Sequence, residues 1–430
     1  MGDSGDLLTR LVPTAGRKSL HVGMMGQYIV PILRNQVHDA SMLTGAAELP
    51  LPEPESLAHS KRVAAFIRNA IRQAGGSISF AQFMQHALYA PGLGYYSAGA
   101  AKFGASGDFI TAPETSPLFA KILARQCAPI LQALPCRSVL EIGAGRGALA
   151  ADLLEYLPDL GSYKILEVSA DLRRRQEDLL RQEAPGQVAK VEWLDDLPQN
   201  FCGVVIANEV ADALPVERFE STGAGLLQHR VVAEGDAFSW SRDAAPPFME
   251  RAVRHLEHSL GTRFPDGYVS ELSPGLPGWI ADISASLDRG FMFLFDYGLS
   301  RAEYYASDRS GGWLRCHFRH RAHSDPLIYP GIQDLSAWVD FTTVAEAATG
   351  AGMEVAGFVS QSHFLMNGGL QEELAEFQRL PTAAQLEISR QVKMLTLPTE
   401  MGEHFKCIGL ARNWNAAPES FSTFDRTHNL

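Results

Sequence analysis

The chain has 430 residues, with 37 basic and 49 acidic side chains and a formal net charge of −12. Hydrophobic residues make up 46%, enough apolar material to offset chain entropy, which excludes a largely disordered chain. The acid excess leaves no basic surplus to displace counterions from phosphates, which excludes a general nucleic-acid binder; it suits a cationic ligand or a basic protein partner.

Residues 1–56 show little periodicity, end in the run Leu49-Pro50-Leu51-Pro52-Glu53-Pro54, and read as a tail or linker. The apolar stretch Val22–Leu33 is broken by Gly23, Gly26, Gln27 and Pro31, which argues against a secretory signal. Asp3 and Asp6 interrupt the acid-poor pattern of a transit peptide. No apolar run is long enough to span a bilayer, so no membrane insertion is expected. Ser56 reads as the N-cap of a helix to Ile71, whose residues Val63, Phe66, Ile67, Ala70 and Ile71 recur at helical spacing. Helices are also expected over Phe80–Tyr89 and 116–133, giving a helical N-terminal region over 57–135.

From residue 137 strands and helices alternate: a strand to Ile142, a helix Ala148–Leu157, a strand Tyr163–Val168, a helix Asp171–Glu183, then strands Val188–Leu194 and Gly203–Ala207. This is the pattern of a doubly wound parallel sheet, and the class is α/β. An insertion over 216–289 is strand-like and turn-rich to Arg242, then helical near Pro247–Leu260. Gly290-Phe291-Met292-Phe293-Leu294-Phe295 reads as a central strand covered on both faces. Residues 300–340 read as an irregular, His- and Arg-rich segment, followed by strands Glu354–Phe358 and His404–Leu410 and a tail over 413–430.

Cys127, Cys136, Cys202, Cys316 and Cys407 form no CxxC pair and read as buried, reduced thiols. His317, His320 and His323 are spaced i, i+3, i+6, do not line one strand face, and have no carboxylate of suitable geometry beside them, so no metal centre is expected. That segment reads either as a loop over substrate or cofactor, or as a solvated basic loop.

Gly143, Gly145 and Gly147 follow a strand and open a helix. Such glycines allow tight turning and close backbone approach, and the helix N-terminus offers free N–H groups to an anionic group. The spacing also fits a dinucleotide fingerprint. Glu167, at the end of the next strand, suits ribose hydroxyls in either case. Two features favour S-adenosylmethionine: Glu141 ahead of the first glycine, within reach of an ammonium, and Asp195-Asp196 after the third strand, near the adenine or in an ordinary polar loop. Asn208, Glu209 and Asp212 follow the fourth strand, outside the carboxyl ends where open α/β sheets bind ligands.

With these residues the sequence resembles the MidA-like methyltransferases. The likeness rests on Gly107–Glu114, Glu141–Gly147 (with Ala144 where a proline is common), Glu167-Val168-Ser169 with Leu172-Arg173 and Gln176, and Asn208-Glu209 with Asp212–Val216. Asp296-Tyr297-Gly298, Gly331 with Gln333-Asp334, and Val339-Asp340-Phe341 complete it. The resemblance implies a methyltransferase-type Rossmann sheet of about seven strands with an antiparallel last strand, a helical N-terminal region and inserted segments. It implies S-adenosylmethionine as cofactor, with Thr111 among its contacts, and a protein arginine side chain as substrate. It also implies a link to respiratory complex I assembly or a bacterial counterpart. Carboxylates can orient a guanidinium and take its proton, which points to Glu209 and Asp212, supported by Asn208. The competing readings are a cofactor-binding assembly factor without turnover and a dinucleotide-dependent oxidoreductase. The location expected is cytoplasmic, or the mitochondrial matrix in a eukaryote.

Overall fold

The computed structural model describes residues 49–98 and 111–430. Residues 1–48 of the expected tail, and the 107–110 half of one motif, lie outside the described residues. The first helix, α1 (Pro54–Gln73), is capped by Glu53 rather than Ser56, which is buried inside the helix. Pro54 sits in the first turn, where a missing N–H costs nothing. Next come β1 (Ser77–Ser79), α2 (Phe80–Tyr89) behind a Ser79–Gln82 capping box, α3 (Ala112–Thr115) and α4 (Pro117–Ala133).

The main sheet is built from β2 (Ser138–Ile142), α5 (Ala148–Tyr156), β3 (Ser162–Leu166), α6 (Ala170–Glu183), β4 (Val191–Leu194) and β5 (Phe201–Asn208). The insertion holds β6 (Glu217–Thr222), β7 (Gly225–Glu234), β8 (Ala237–Ala244), α7 (Pro247–Leu260), β9 (Tyr268–Leu272) and α8 (Leu276–Ser286). Its strands join β1 in a separate sheet, ordered β1-β7-β6-β9 with β8 on β7. The chain then re-enters the main sheet as β10 (Leu287–Leu299) and continues through α9 (Arg301–Tyr304), β11 (Leu314–Phe318), β12 (Arg321–His323), β13 (Asp334–Ala337), β14 (Val339–Asp340), α10 (Phe341–Gly350) and β15 (Glu354–Ser360). Short helices lead to β16 (Phe405–Arg412).

The main sheet runs β15-β16-β10-β5-β2-β3-β4. β10, β5, β2, β3 and β4 are mutually parallel, and β16 is antiparallel to both its neighbours. The antiparallel last strand therefore lies inside the sheet. β10 is an interior strand covered on both faces: Phe291 to Phe295 are all 0% exposed. Phe295 packs on Phe119 of α4, and Phe291, Phe293 and Phe295 meet Phe364 and Phe421 on the same face, while Met292 and Leu294 face α8 and α10. That double burial explains why the strand has no polar alternation.

Two expectations are corrected. Residues 300–340 are not wholly irregular: β12, β11 and β13 form an antiparallel sheet, with Leu314, Cys316 and Phe318 buried at alternate positions. Cys136 and Cys202 are not free thiols but a disulfide with Cα atoms 6.0 Å apart; Cys127, Cys316 and Cys407 are free and buried. The two bonded residues are 66 apart in sequence, and only the β2–β5 pairing makes them neighbours. Among the described residues no helix is long and apolar enough to cross a membrane.

Closing so long a loop restricts the unfolded chain, so reductant is expected to lower the unfolding free energy by about 2–4 kcal/mol. Urea unfolding with and without reductant measures this, and Cys202→Ser should abolish the dependence. Equal stability of the wild type in both conditions would contradict the pairing.

Candidate active site

The glycine loop fills the gap between β2 and α5. Gly143, Gly145 and Gly147 have φ of 68°, 53° and 89°, a region costly for residues with a Cβ. Their surroundings differ. A Cβ on Gly143 would stand 3.0 Å from Val210 Cγ2, and one on Gly147 would stand 3.3 Å from Gln176 Cγ. One on Gly145 would meet nothing within 4 Å. Gly145 is therefore where a ligand can lie directly against backbone. The Gly143 N–H donates to Leu166 O at 3.0 Å, which ties the loop to the end of β3.

Glu141 lies under this loop and is 3% exposed. Its Oε2 accepts from the Tyr163 hydroxyl at 2.6 Å. Burial pushes its pKa up to about 7; the Glu167 charge adds to the rise and the Tyr163 hydrogen bond opposes it. Glu167, 6% exposed, accepts from Ser169 N–H at 2.9 Å and from the Gln176 amide at 3.2 Å. Burial raises its pKa too, against these two bonds and the nearby Arg173. Neither carboxylate forms a salt bridge among the described residues. Val168 follows Glu167 and is 78% exposed, an apolar surface suited to a flat base. Arg173 bridges the ends of β3 and β4, donating to Glu167 O, Leu194 O and Asp195 Oδ1. Asp195 thus stands at the same edge, but in an exposed ion pair worth at most about 1 kcal/mol.

The end of β5 forms the other half. Asn208 pairs in register with Phe295 of β10. Glu209 then adopts φ 55°, unusual for a side-chain-bearing residue, and its N–H donates to Phe295 O at 2.9 Å. Glu209 Oε1 accepts from Asn208 Nδ2 at 3.1 Å and from Ala112 N–H at 3.3 Å, while Asn208 Oδ1 is buried with no partner among the described residues. Burial and the Asp212 charge hold the Glu209 pKa well above the usual carboxylate range. Asp212 is raised well above its ordinary value by burial, then by Asp296 and Asp334. Thr111 caps α3 beside Glu209, with its N–H bonded to Glu114, and Glu114 pairs with Arg146 of the glycine loop at 3.7 Å.

Four residues around Asp212 are not among the candidate site residues expected from the sequence. Asp296, 0% exposed, accepts from Val210, Ala211 and Asp212 N–H at 3.2, 2.8 and 3.2 Å. Asp334 of β13 accepts from the Tyr96 hydroxyl at 2.8 Å, and Tyr89 donates to Ala213 O at 2.9 Å. The Tyr89 and Tyr96 rings stack at 5.5 Å. The signals were present: an acid directly after an all-apolar strand, and tyrosines at the end of a helix. Only the fold shows that they converge. His317, by contrast, lies half-buried in β11, and its pKa is pushed down to about 4 by burial and Arg315.

The site therefore combines an open glycine cradle, buried carboxylates beside an exposed apolar residue, and a second acidic group at the next strand end. This suits a cationic ligand bearing an amino acid, a sugar and a base. The crystal structure of a Burkholderia thailandensis protein bound to S-adenosyl-homocysteine is 40% identical, with a TM-score of 0.83 over 89% of this chain and 100% of that one. "Protein arginine methyltransferase NDUFAF7 homolog, mitochondrial" of Drosophila melanogaster is 28% identical over 92% of this chain and 95% of its own length. "Protein arginine methyltransferase NDUFAF7, mitochondrial" of Homo sapiens is 29% identical over 78% and 80%. The family described as "Putative S-adenosyl-L-methionine-dependent methyltransferase" matches residues 122–359. The fold, the cradle and these likenesses agree: the chain belongs to the MidA-like S-adenosylmethionine-dependent methyltransferase family.

Proposed function

We propose that the chain methylates the guanidinium group of an arginine in a protein substrate. The observation that carries this reading is the end of β5. Asn208 Oδ1 is a buried acceptor that a ligand N–H would satisfy, and Glu209 and Asp212 flank it with carboxyl groups whose pKa values burial raises. A guanidinium is always charged, and its planar fork matches carboxylates. Such a cation restores the ionised form of buried acids, so the pocket selects for positive charge. The names of the relatives from Drosophila melanogaster and Homo sapiens support the same substrate class.

Asn208, Glu209 and Asp212 orient the fork and draw its charge towards the non-reacting nitrogens. Glu209 accepts the proton released as the C–N bond forms; a pKa raised by burial makes it a stronger base for that task. S-adenosylmethionine, when bound, supplies an electrophilic methyl group whose C–S bonding pair leaves with sulfur. Gly143, Gly145 and Gly147 bring backbone against it, Glu167 takes the ribose hydroxyls, and Glu141 faces the ammonium. Thr111 and Asp195 close the two ends of the site. Family resemblance extends the proposal to a substrate in respiratory complex I assembly or its bacterial counterpart. The location proposed with it is the cytoplasm, or the matrix of a eukaryotic mitochondrion.

Glu209→Gln is expected to slow methyl transfer to an arginine peptide by about 10²–10⁴-fold while S-adenosylhomocysteine binds within about threefold of wild type. Single-turnover label transfer and calorimetry read the two quantities. Undiminished transfer would remove Glu209 from the chemistry, and no transfer by the wild type to any arginine substrate would leave the assembly-factor reading.

The fold favours protonated Glu141, so its contribution to ligand-free stability is complete below the unfolded carboxylate value and is lost as pH rises through about 7. Glu141→Gln should match wild type near pH 4.5 and exceed it by up to about 3 kcal/mol at pH 8. It should bind cofactor more weakly throughout. Urea unfolding across this range is the check; a stability difference independent of pH would contradict the assignment.

A further inference from the structure

Helix α6 packs on the sheet through two fully enclosed side chains, Gln176 and Leu180, both 0% exposed. A spacing of four places them on one helix face. An apolar residue is ordinary there, whereas an amide is costly unless its polar atoms are paired. Those of Gln176 are. Its Oε1 accepts from Trp193 Nε1–H of β4 at 2.9 Å. Its Nε2 donates to Gly145 O at 2.9 Å and to Glu167 Oε2 at 3.2 Å. The indole nitrogen is a donor only, so Trp193 fixes which way the amide faces and turns both of its hydrogens to the two acceptors.

One side chain thus joins the glycine loop, the end of β3 and β4. Across a trans peptide C=O and N–H point in opposite directions. Holding Gly145 C=O towards α6 therefore turns the Arg146 N–H away from it. The second bond fixes one oxygen of Glu167, and Ser169 N–H fixes the other at 2.9 Å. The carboxylate is thereby set from both sides. Gly147 makes room for this arrangement, since a Cβ there would stand 3.3 Å from Gln176 Cγ.

We infer that Gln176 is a positioning residue for the cofactor: its amide locks the Gly145 peptide and the Glu167 carboxylate into one fixed relation, so that the amino-acid and sugar ends of S-adenosylmethionine meet groups at a set spacing. The inference rests on the cofactor site and is independent of the arginine substrate. A helix-docking role alone would predict something different, because Leu180 docks the same face with no polar atom to bond either group.

The test uses the full chain and three measurements: S-adenosylhomocysteine affinity by calorimetry, amide hydrogen exchange at residues 143–147 in ligand-free protein, and the thermal midpoint. Gln176→Met keeps the length and apolar volume but deletes both donated bonds; Leu180→Ala removes packing only. Gln176→Met is expected to weaken binding by about 10–100-fold, two hydrogen bonds' worth, and to speed exchange in the loop. Leu180→Ala should lower the midpoint yet bind within about threefold of wild type. Binding by Gln176→Met within threefold of wild type would overturn the inference, as would an equal loss in Leu180→Ala. If Gln176→Met does not fold, Trp193→Phe decides: it frees the amide to turn, and about a 3–10-fold weakening supports the role while unchanged affinity refutes it. Wild type that fails to bind S-adenosylhomocysteine would overturn the cofactor reading and this inference together.

Discussion

The substrate end of the site depends on one buried carboxylate. Asp296 lies one residue beyond the point where β10 and β5 stop pairing. It is completely enclosed, and its charge is answered by backbone: three consecutive N–H groups from residues 210–212 on one oxygen and the Tyr297 N–H, at 2.9 Å, on the other. Burial and the neighbouring Glu209 push the Asp296 pKa up, and the backbone bonds pull it down. With three N–H groups gathered on one oxygen, the chain after Asn208 cannot continue as a strand. It bends around the carboxylate, which puts Glu209 at a strained φ and Asp212 on the returning turn. Asp296 thus acts through the backbone, by setting the direction of the three side chains assigned to the substrate.

The same region concentrates negative charge beyond what its own donors balance. Glu209, Asp212, Asp296 and Asp334 raise one another's pKa values or those of the tyrosines between them. Glu141 and Glu167 form a second pair at the neighbouring strand ends. Burial disfavours the charged form of these carboxyl groups, and a nearby cation favours it. The sulfonium and ammonium of S-adenosylmethionine carry charge of the sign that Glu141 and Glu167 call for, and the guanidinium proposed as substrate would do the same for Glu209 and Asp212. The acid excess in the composition is thus partly a property of the site, and it is why the chemistry favours cationic partners over phosphates.

Much of this was legible before any coordinates. Alternating strands and helices identified the parallel sheet because each βα unit buries its own apolar face, and three glycines within five residues located the cradle. The glycine spacing left a dinucleotide open, and the family match decides for S-adenosylmethionine. The misses were long-range. Cys136 and Cys202 look unrelated until two strands are set side by side. Residues 314–318 carry a period-two pattern that the surrounding arginines and histidines obscured. Thr111 was named through the family resemblance alone; only the fold brings the N–H of the next residue onto the Glu209 carboxylate.

Polar residues in apolar positions are the part of the pattern that carried most information and was hardest to assign. Gln176 interrupts the buried face of α6, Asp296 follows the all-apolar run of β10, and Glu271 is wholly enclosed in β9. Each is satisfied by specific donors, and for each the burial cost implies a task. The tasks differ. Glu271 pairs with Arg218 and accepts from Trp313 N–H at 2.7 Å, holding the inserted sheet together. Gln176 and Asp296 stand at the carboxyl ends of the main strands and hold backbone that a ligand meets. Sequence shows that such a residue breaks the pattern. Its place in the strand order decides whether the break serves stability or chemistry, because only one edge of this sheet opens onto the cradle.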